Sequence, residues 1–348
     1  MRDFEVYWTA ASRAASGEPL YRADDGHYQF KYLPAFAVIA TPLALLPLQT
    51  AKAAWFVASV VLLLILLRLS VAVLPVRRRA TWLLTLALIV AMGKFYGHEL
   101  VLGQVNLLFA VLATAGVLLL RRRRDVAAGL LFVAAMVVKP YAVLFLPWLA
   151  WLRRTRAIAS AAAGAVVVLV LPSLFYGAGE TIGLHQAWWR TVAESTAPNL
   201  TNADNVSLAA FFAKWMGIGS AATAAAAACG LVLLIIAALV VHGGRAVADR
   251  EPLEAALLLT LIPLLSPQGW DYVFLVATPA IAVLANYDDR LPRSLRVAAW
   301  GAVLTIGLSL FDLMGRRHYA AFMNWSVITV AFVVVIGALA VLRRRRVA

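Results

Sequence analysis

Asp3 opens the sequence in "MRDFEVYW", and Asp271 ends the polar part of a short turn, "LLSPQGWDYVF" (264–274). Both are carboxylates set beside long apolar stretches, and both are candidates for chemistry; the plain alternative for Asp3 is a residue at a helix N-terminus, which favours negative charge. A second polar set is "KFYGHELVLGQVN" (94–106). Lys94, His98 and Glu99 fall at a helix junction, and Gln104 and Asn106 enter the next helix. Polar side chains within apolar helices are costly, so they mark either function or hydrogen bonding between helices. Lys139 stands alone in "AAMVVKPYAVLFL" (134–146). An ammonium at depth needs an anion, a carboxylate or a phosphate, unless its stem carries it to the interface. Asn205 and Ser207 in "NADNVSL" (202–208) are further polar candidates, with helix capping as the plain reading.

The elements that must position these residues are helices in a membrane. The 348 residues are 63% hydrophobic and 14% charged, against about 25% charged in a soluble domain. Apolar runs such as "AAWFVASVVLLLILL" (53–67) and "AFVVVIGALAVL" (331–342) have the length and composition of spans, and in lipid the backbone must satisfy its own hydrogen bonds. The expected fold is all-α, a single polytopic integral membrane domain over 1–348. Eleven crossings are expected, at roughly 51–74, 81–96, 101–120, 126–138, 140–152, 157–176, 221–241, 253–265, 271–287, 295–313 and 325–342. The pair 126–138 and 140–152 is short and turns at Lys139-Pro140.

The net charge of +14 resides in short arginine runs between apolar segments, at 77–79, 121–124, 153–156 and 343–346. That pattern fits cytoplasmic loops, not nucleic-acid binding. Loops assigned inside carry 19 Lys and Arg, those outside 10. The tail 343–348 is therefore expected in the cytoplasm, and an odd number of crossings puts 1–50 outside as an extracytoplasmic first loop. Its opening residues have helical spacing, with Phe4, Trp8, Ala11 and Ala15 on one face and Asp3, Tyr7, Ala10 and Ala14 on the next. Gly17 and Pro19 end that helix. Segment 33–48, with three prolines, is expected to be re-entrant or interfacial. Trp188 and Trp189 are interface anchors.

Several classes are excluded by what the sequence lacks. It has no Gly-rich phosphate loop, no nucleophile elbow and no metal-ligating Cys/His cluster, so neither metal nor other cofactor is expected. The single cysteine, Cys229, cannot form an internal disulfide.

"DFEVYWTAASRAASGEPLY" followed by "FKYLPAFAVIATPLALLP" resembles the first outer loop of glycosyltransferase family 87. "GQVNLLFAVLATAG", "AAGLLFVAAMVVKPYAVLFLPWLAW", "NVSLAAFF" and "SPQGWDYVFLVATPA" resemble later blocks in the same order. These are GT-C type membrane enzymes, the polyprenyl-phosphate-mannose-dependent mannosyltransferases. The resemblance implies an inverting transfer of a hexose, mannose, from a polyprenyl-phosphate sugar to a lipid or glycan acceptor on the extracytoplasmic face of the cell membrane. It makes Asp3 the general base. The departing phosphate needs cationic or hydrogen-bonding partners, for which Lys139, His98 and Lys31 are the candidates in that order. Tyr7, Gln104, Asn106, Asn205 and Asp271 are expected to line the substrate pocket. The family has a helix before the first loop, and the sequence as given is expected to begin one helix late. The competing reading is a transporter or flippase of lipid-linked sugars, which calls for ionisable residues facing one another within the membrane.

Overall fold

The structure, a computed structural model, describes residues 1–243 and 249–345. The end of the tail, 346–348, lies outside the described residues, as does Arg245, one of the 19 basic residues counted in the inside loops. Among the described residues the protein is all helical, 81% helix with no strand. Four helices are long and apolar enough to cross a membrane: α3 (Leu48–Ala72), α4 (Thr81–Leu102), α11 (Ser220–His242) and α16 (Val327–Arg344). The count reaches six if two bent pairs each make one span. These are α8 (Thr155–Val170) with α9 (Ser173–Glu194), bent by 91°, and α14 (Arg293–Gly307) with α15 (Phe311–Asn324), bent by 104°. The four-to-six count stands beside the eleven segments read from hydropathy because several of those are short or broken. Segment 157–176 breaks before Pro172, which has no N–H to continue the helix. Segment 295–313 breaks at Ser309. The remaining apolar helices are α5 (Asn106–Arg121), α6 (Asp125–Val138) and α7 (Phe145–Trp151), the last preceded by a 3-10 turn at Pro140–Leu144.

The chain divides into two compact units. The first comprises Met1–Leu64 and His98–Ala197. It holds α1 (Arg2–Ala15), the two short helices Pro34–Ile39 (α2) and Thr41–Leu45, the first part of α3, the end of α4, and α5 to α9. Of the three prolines in 33–48, Pro34 and Pro42 each lie in the first turn of one of these short helices, and Pro47 directly precedes α3. Helix α1 buries Phe4, Tyr7, Ala10, Ala11 and Ala14. That stripe lies between the two faces read from the sequence, and it leaves Trp8 half-buried and Ala15 exposed. Phe132, Phe145 and Trp148 form an aromatic core where α6 meets α7, with Phe132 and Phe145 stacked at 4.7 Å.

The second unit comprises Ile65–Gly97 and Pro198–Ala348. Its centre is α12 (Glu251–Leu265) and α13 (Thr278–Tyr287), buried along nearly their whole lengths, with α10 (Leu208–Met216), α11 and α14 to α16 around them. Phe95, Phe274 and Phe332 pack there, the last two at 4.2 Å. Two arginine runs do more than mark topology. Arg79 and Arg78 pair with Asp288 and Asp289, and Asn286 accepts from the Arg78 N–H at 2.8 Å. Arg343, expected in a solvated tail, lies inside α16 and forms a buried ion pair with Glu254 at 2.9 Å. On α3 and α11 the outward side chains are apolar and exposed, among them Phe56, Val57, Val61, Leu231, Val232 and Ile235. Such apolar cover suits lipid.

Candidate functional site

The site is assembled within the first unit, around the turn between α4 and α5. Gly103, at φ +73, ends α4, and its N–H bonds back to the Glu99 carbonyl at 2.9 Å. This is the usual glycine stop at a helix C-terminus. Glu99, fully buried, then caps α5: its Oε1 accepts from the Leu107 N–H at 3.0 Å and its Oε2 from Asn106 Nδ2 at 2.8 Å. A carboxylate there satisfies an orphan N–H and suits the helix dipole. The start of α1 lies over this turn. A Cβ on Gly103 would come within 2.9 Å of Met1 Cε and 3.0 Å of Phe4 Cβ. Trp55 on α3 stacks on Phe4 at 5.7 Å and donates to the Gly103 carbonyl at 3.0 Å.

This packing sets Asp3 against Gln104. Gln104 Nε2 donates to Asp3 Oδ2 at 2.7 Å, and Tyr7 OH donates to Gln104 Oε1 at 2.8 Å. A carboxylate only accepts, so the amide must present its nitrogen to Asp3. Tyr32 OH lies 2.8 Å from Tyr7 OH and 3.2 Å from Gln104 Oε1. Lys139 completes the set, donating to Tyr32 OH at 3.5 Å with its Nζ 5.1 Å from that ring's centre. A continuous polar chain therefore runs Asp3–Gln104–Tyr32–Lys139. Asp3 does not act as a side-chain cap for α1, whose N-cap is Met1.

The geometry leaves two groups open. Asp3 Oδ1 takes no hydrogen bond and Lys139 makes no ion pair among the described residues. Lys139 is extended and precedes Pro140, as the proline requires, so it breaks the α6 helix and faces the site instead of continuing it. Asp3, Glu99 and Lys31 lie within its electrostatic reach. Lys31, in the loop before α2, has its ammonium pushed below the ordinary lysine range by burial, with the charge of Asp3 opposing the shift. Its carbonyl accepts from Trp188 Nε1 at 3.1 Å, so Trp188 serves the first loop here. Burial pushes the Tyr32 hydroxyl far above the usual tyrosine range, so it stays protonated and can donate.

Of the expected site residues, Asp3, Tyr7, Gln104 and Lys139 meet in one network, Lys31 adds its charge, and Asn106 joins through Glu99. His98 is half-buried on α4, one position before Glu99. Asn205 and Asp271 belong to the second unit. There Asn205 Nδ2 donates to the Asn199 and Pro267 carbonyls at 3.0 and 2.9 Å, and its Oδ1 accepts from the Ser207 N–H. Ser207 caps α10. Asp271 pairs with Lys94 at 3.3 Å, both almost wholly buried. The Lys94 ammonium also reaches Ser309 Oγ at 3.3 Å and lies 4.9 Å from the Tyr319 ring centre. Tyr32 was not among the expected residues; a tyrosine in "FKYLP" has no feature that separates it from an interface aromatic. Among the described residues no group of His, Cys, Asp and Glu is arranged to hold a metal ion.

A family model, that of glycosyltransferase family 87, matches residues 30–267, well over half of the chain. The match takes in Lys31, His98, Gln104, Asn106, Lys139 and Asn205; Asp3 and Tyr7 precede it and Asp271 follows it. No curated protein and no solved structure gives a significant match. With its apolar helices, the chain belongs to glycosyltransferase family 87 and is a membrane glycosyltransferase.

Proposed function

We propose that the protein transfers a hexose, mannose, from a polyprenyl-phosphate sugar to a lipid or glycan acceptor on the extracytoplasmic face of the cell membrane, with Asp3 as general base. The observation that carries this reading is that Asp3 and Lys139 stand at the two ends of one hydrogen-bonded chain. The chemistry needs a base at one end and a cation at the other. Asp3 Oδ1 takes the proton of an acceptor hydroxyl, and the hydroxyl oxygen attacks the anomeric carbon. The bond from that carbon to the phosphate oxygen breaks, and the phosphate departs with the electron pair. Lys139 and Lys31 offset its charge, with His98 the third candidate. Phosphate is a good leaving group, so one base suffices where glycosidases need two carboxylates. Attack opposite the phosphate inverts the anomeric centre. The reading goes with one integral membrane domain of GT-C type, eleven crossings, and the first loop outside.

The test is transfer by purified protein in nanodiscs, from radiolabelled polyprenyl-phosphate-mannose to octyl mannoside. Asp3→Asn is expected to lower kcat by at least about 100-fold with the donor KM unchanged. Full turnover by Asp3→Asn, or labelling of a cysteine at position 3 from the cytosolic side in a Cys229→Ala background, would overturn it.

A second reading, a carrier of lipid-linked sugars, is favoured by Lys94–Asp271. Lys94 lies on one of the long apolar helices and faces a carboxylate in the interior of its unit, the arrangement a carrier would use. Transbilayer movement of the donor in proteoliposomes, lost in Asp271→Asn while Asp3→Asn retains it, would favour the carrier.

A further inference from the structure

Helices α5 and α7 end in the same turn, and both turns are built from arginine. After α5 the Arg124 N–H bonds to the Leu119 carbonyl at 2.9 Å and the Arg123 N–H to that of Leu120 at 3.0 Å. After α7 the Arg154 N–H bonds to the Leu149 carbonyl and the Arg153 N–H to that of Ala150, each at 3.0 Å. This paired pattern closes a helix when the residue after its last turn is left-handed, a place that glycine usually takes. Here the residues are Arg123, at φ +59, and Arg153, at φ +55. Helix packing sets the two turns side by side. A Cβ on Gly129 of α6 would come within 2.2 Å of the Ala157 carbonyl oxygen on α8, so glycine there lets the starts of α6 and α8 meet. Ser160 Oγ on α8 donates to the Val126 carbonyl at 3.0 Å. Arg154 then reaches Asp125, from one turn to the other, at 3.5 Å.

We infer that the twin turns are a binding seat for the phosphodiester headgroup of an anionic phospholipid. Three observations carry the inference. The first is charge. Residues 121–125 and 153–156 hold seven arginines and one acid, Asp125, and that acid already pairs with Arg154. Arg122, Arg123, Arg124, Arg153 and Arg156 are exposed, and guanidinium forks match phosphate oxygens. The second is the backbone. A marker of topology needs charge alone, not a left-handed residue at the same place in two turns. A long side chain kept where glycine fits more easily points to a use for that side chain. The third is what lies below the turns. Val126, Ala127 and Leu130 form an exposed apolar stripe on α6, where an acyl chain packs while the arginines hold its headgroup. A soluble anion has no use for that stripe. The seat is also remote from the reacting groups: α6 runs from the turns to Lys139, and its 14 residues span about 21 Å. The seated lipid is therefore not the sugar donor, and the inference stands apart from the transfer reading. Both turns belong to loops expected inside, where the leaflet surface is negative.

The experiment is fluorescence quenching of a bimane attached to Ala127→Cys, an exposed position of α6 beside the turns, in a Cys229→Ala background. The full-length protein is reconstituted in equal parts of phosphatidylcholine and phosphatidylglycerol, with bromine on the chains of one lipid or the other. Val166→Cys, exposed toward the far end of α8, is the reference, and comparing the two lipids at each position removes the effect of depth. Phosphatidylglycerol is expected to be preferred at least about fivefold at position 127, with no preference at position 166. Arg123→Gly combined with Arg153→Gly should bring the preference at 127 to about twofold or less. Each of these changes supplies the residue that the backbone conformation favours, so the thermal midpoint in pure phosphatidylcholine should hold. No preference at 127, or an equal one at 166, would overturn the seat, and both are read with every arginine in place. A preference undiminished in the glycine pair would overturn the role of the turn arginines. A preference abolished by millimolar glycerol phosphate would mark a site for free phosphate and overturn the lipid assignment.

Discussion

Gln104 holds Asp3 through a single 2.7 Å hydrogen bond to Oδ2, and it can do so only with its amide turned as Tyr7 and Tyr32 dictate. One carboxylate oxygen is thereby fixed and the other is left for the acceptor. Gln104 touches neither substrate in the proposed reaction; it positions the base. Gln104→Leu removes the donor and strands the two phenols, while keeping the side chain's volume. The expected outcome is a kcat reduced about 10- to 100-fold with the donor KM little changed, since a misplaced base costs on that order. Tyr7→Phe should give a smaller loss of the same kind, because Tyr32 still lies 3.2 Å from Gln104 Oε1. A loss confined to the donor KM would place Gln104 on the donor.

Lys139 separates function from stability. Its contacts are a long 3.5 Å hydrogen bond and an aromatic face, poor compensation for a half-buried ammonium. A structural lysine would cost stability when replaced. Lys139→Met should instead leave the thermal midpoint unchanged or raise it, while the donor KM rises about tenfold or more through loss of a charge-assisted phosphate contact. Scanning fluorimetry and the transfer assay on the same preparation check both halves.

Lys31 gives the pH dependence. Burial lowers its ammonium below the ordinary lysine range, so the cation is present at low pH and is lost as pH rises, earlier than for an exposed lysine. Phosphate binding that uses this charge must weaken toward alkaline pH. The donor KM is expected to climb on the alkaline side for wild type, and to climb less steeply in Lys31→Arg, whose guanidinium keeps its charge while Lys139 remains a lysine.

Much of this was legible before any coordinates. Composition and arginine runs specify a helical membrane protein, because spans and loops differ so strongly in polarity. Helical spacing plus Gly17 and Pro19 gives α1 nearly to the residue, 2 to 15. Asp3, Gln104 and Lys139 were visible as polar exceptions. Their meeting was not, because it depends on α1 folding back over the turn at Gly103, a contact 101 positions apart for Asp3 and Gln104. Hydropathy also counts segments without seeing breaks. Buried α12 and α13 are as rich in apolar residues as the outward-facing α3 and α11, so composition does not distinguish a helix inside its unit from one that faces lipid. Arg343 and the pair Arg78 and Arg79 looked like topology markers because a sequence does not reveal that Glu254, Asp289 and Asp288 lie opposite them.

Gly103 joins fold and site, and a change there tests both. Its φ of +73 lies where a side chain costs about 1–2 kcal/mol. A methyl at that position would also sit 2.9 Å from Met1 Cε and 3.0 Å from Phe4 Cβ. Met1 can swing aside, since its thioether end is flexible; Phe4 cannot, because it is fully buried and stacked on Trp55. Gly103→Ala should therefore lift the start of α1 and stretch the Gln104–Asp3 bond, while Glu99 still caps α5 from below the turn. The expected result is a fall of several degrees in the thermal midpoint and a drop in kcat comparable to Gln104→Leu. Trp55 fluorescence, read in a variant whose other tryptophans are replaced by phenylalanine, should shift as its Phe4 contact and its bond to the Gly103 carbonyl loosen. Because both changes act through the same hydrogen bond, Gly103→Ala combined with Gln104→Leu should lose little more kcat than either alone; losses that multiply would show that Gly103 acts by some other route than the placement of Asp3.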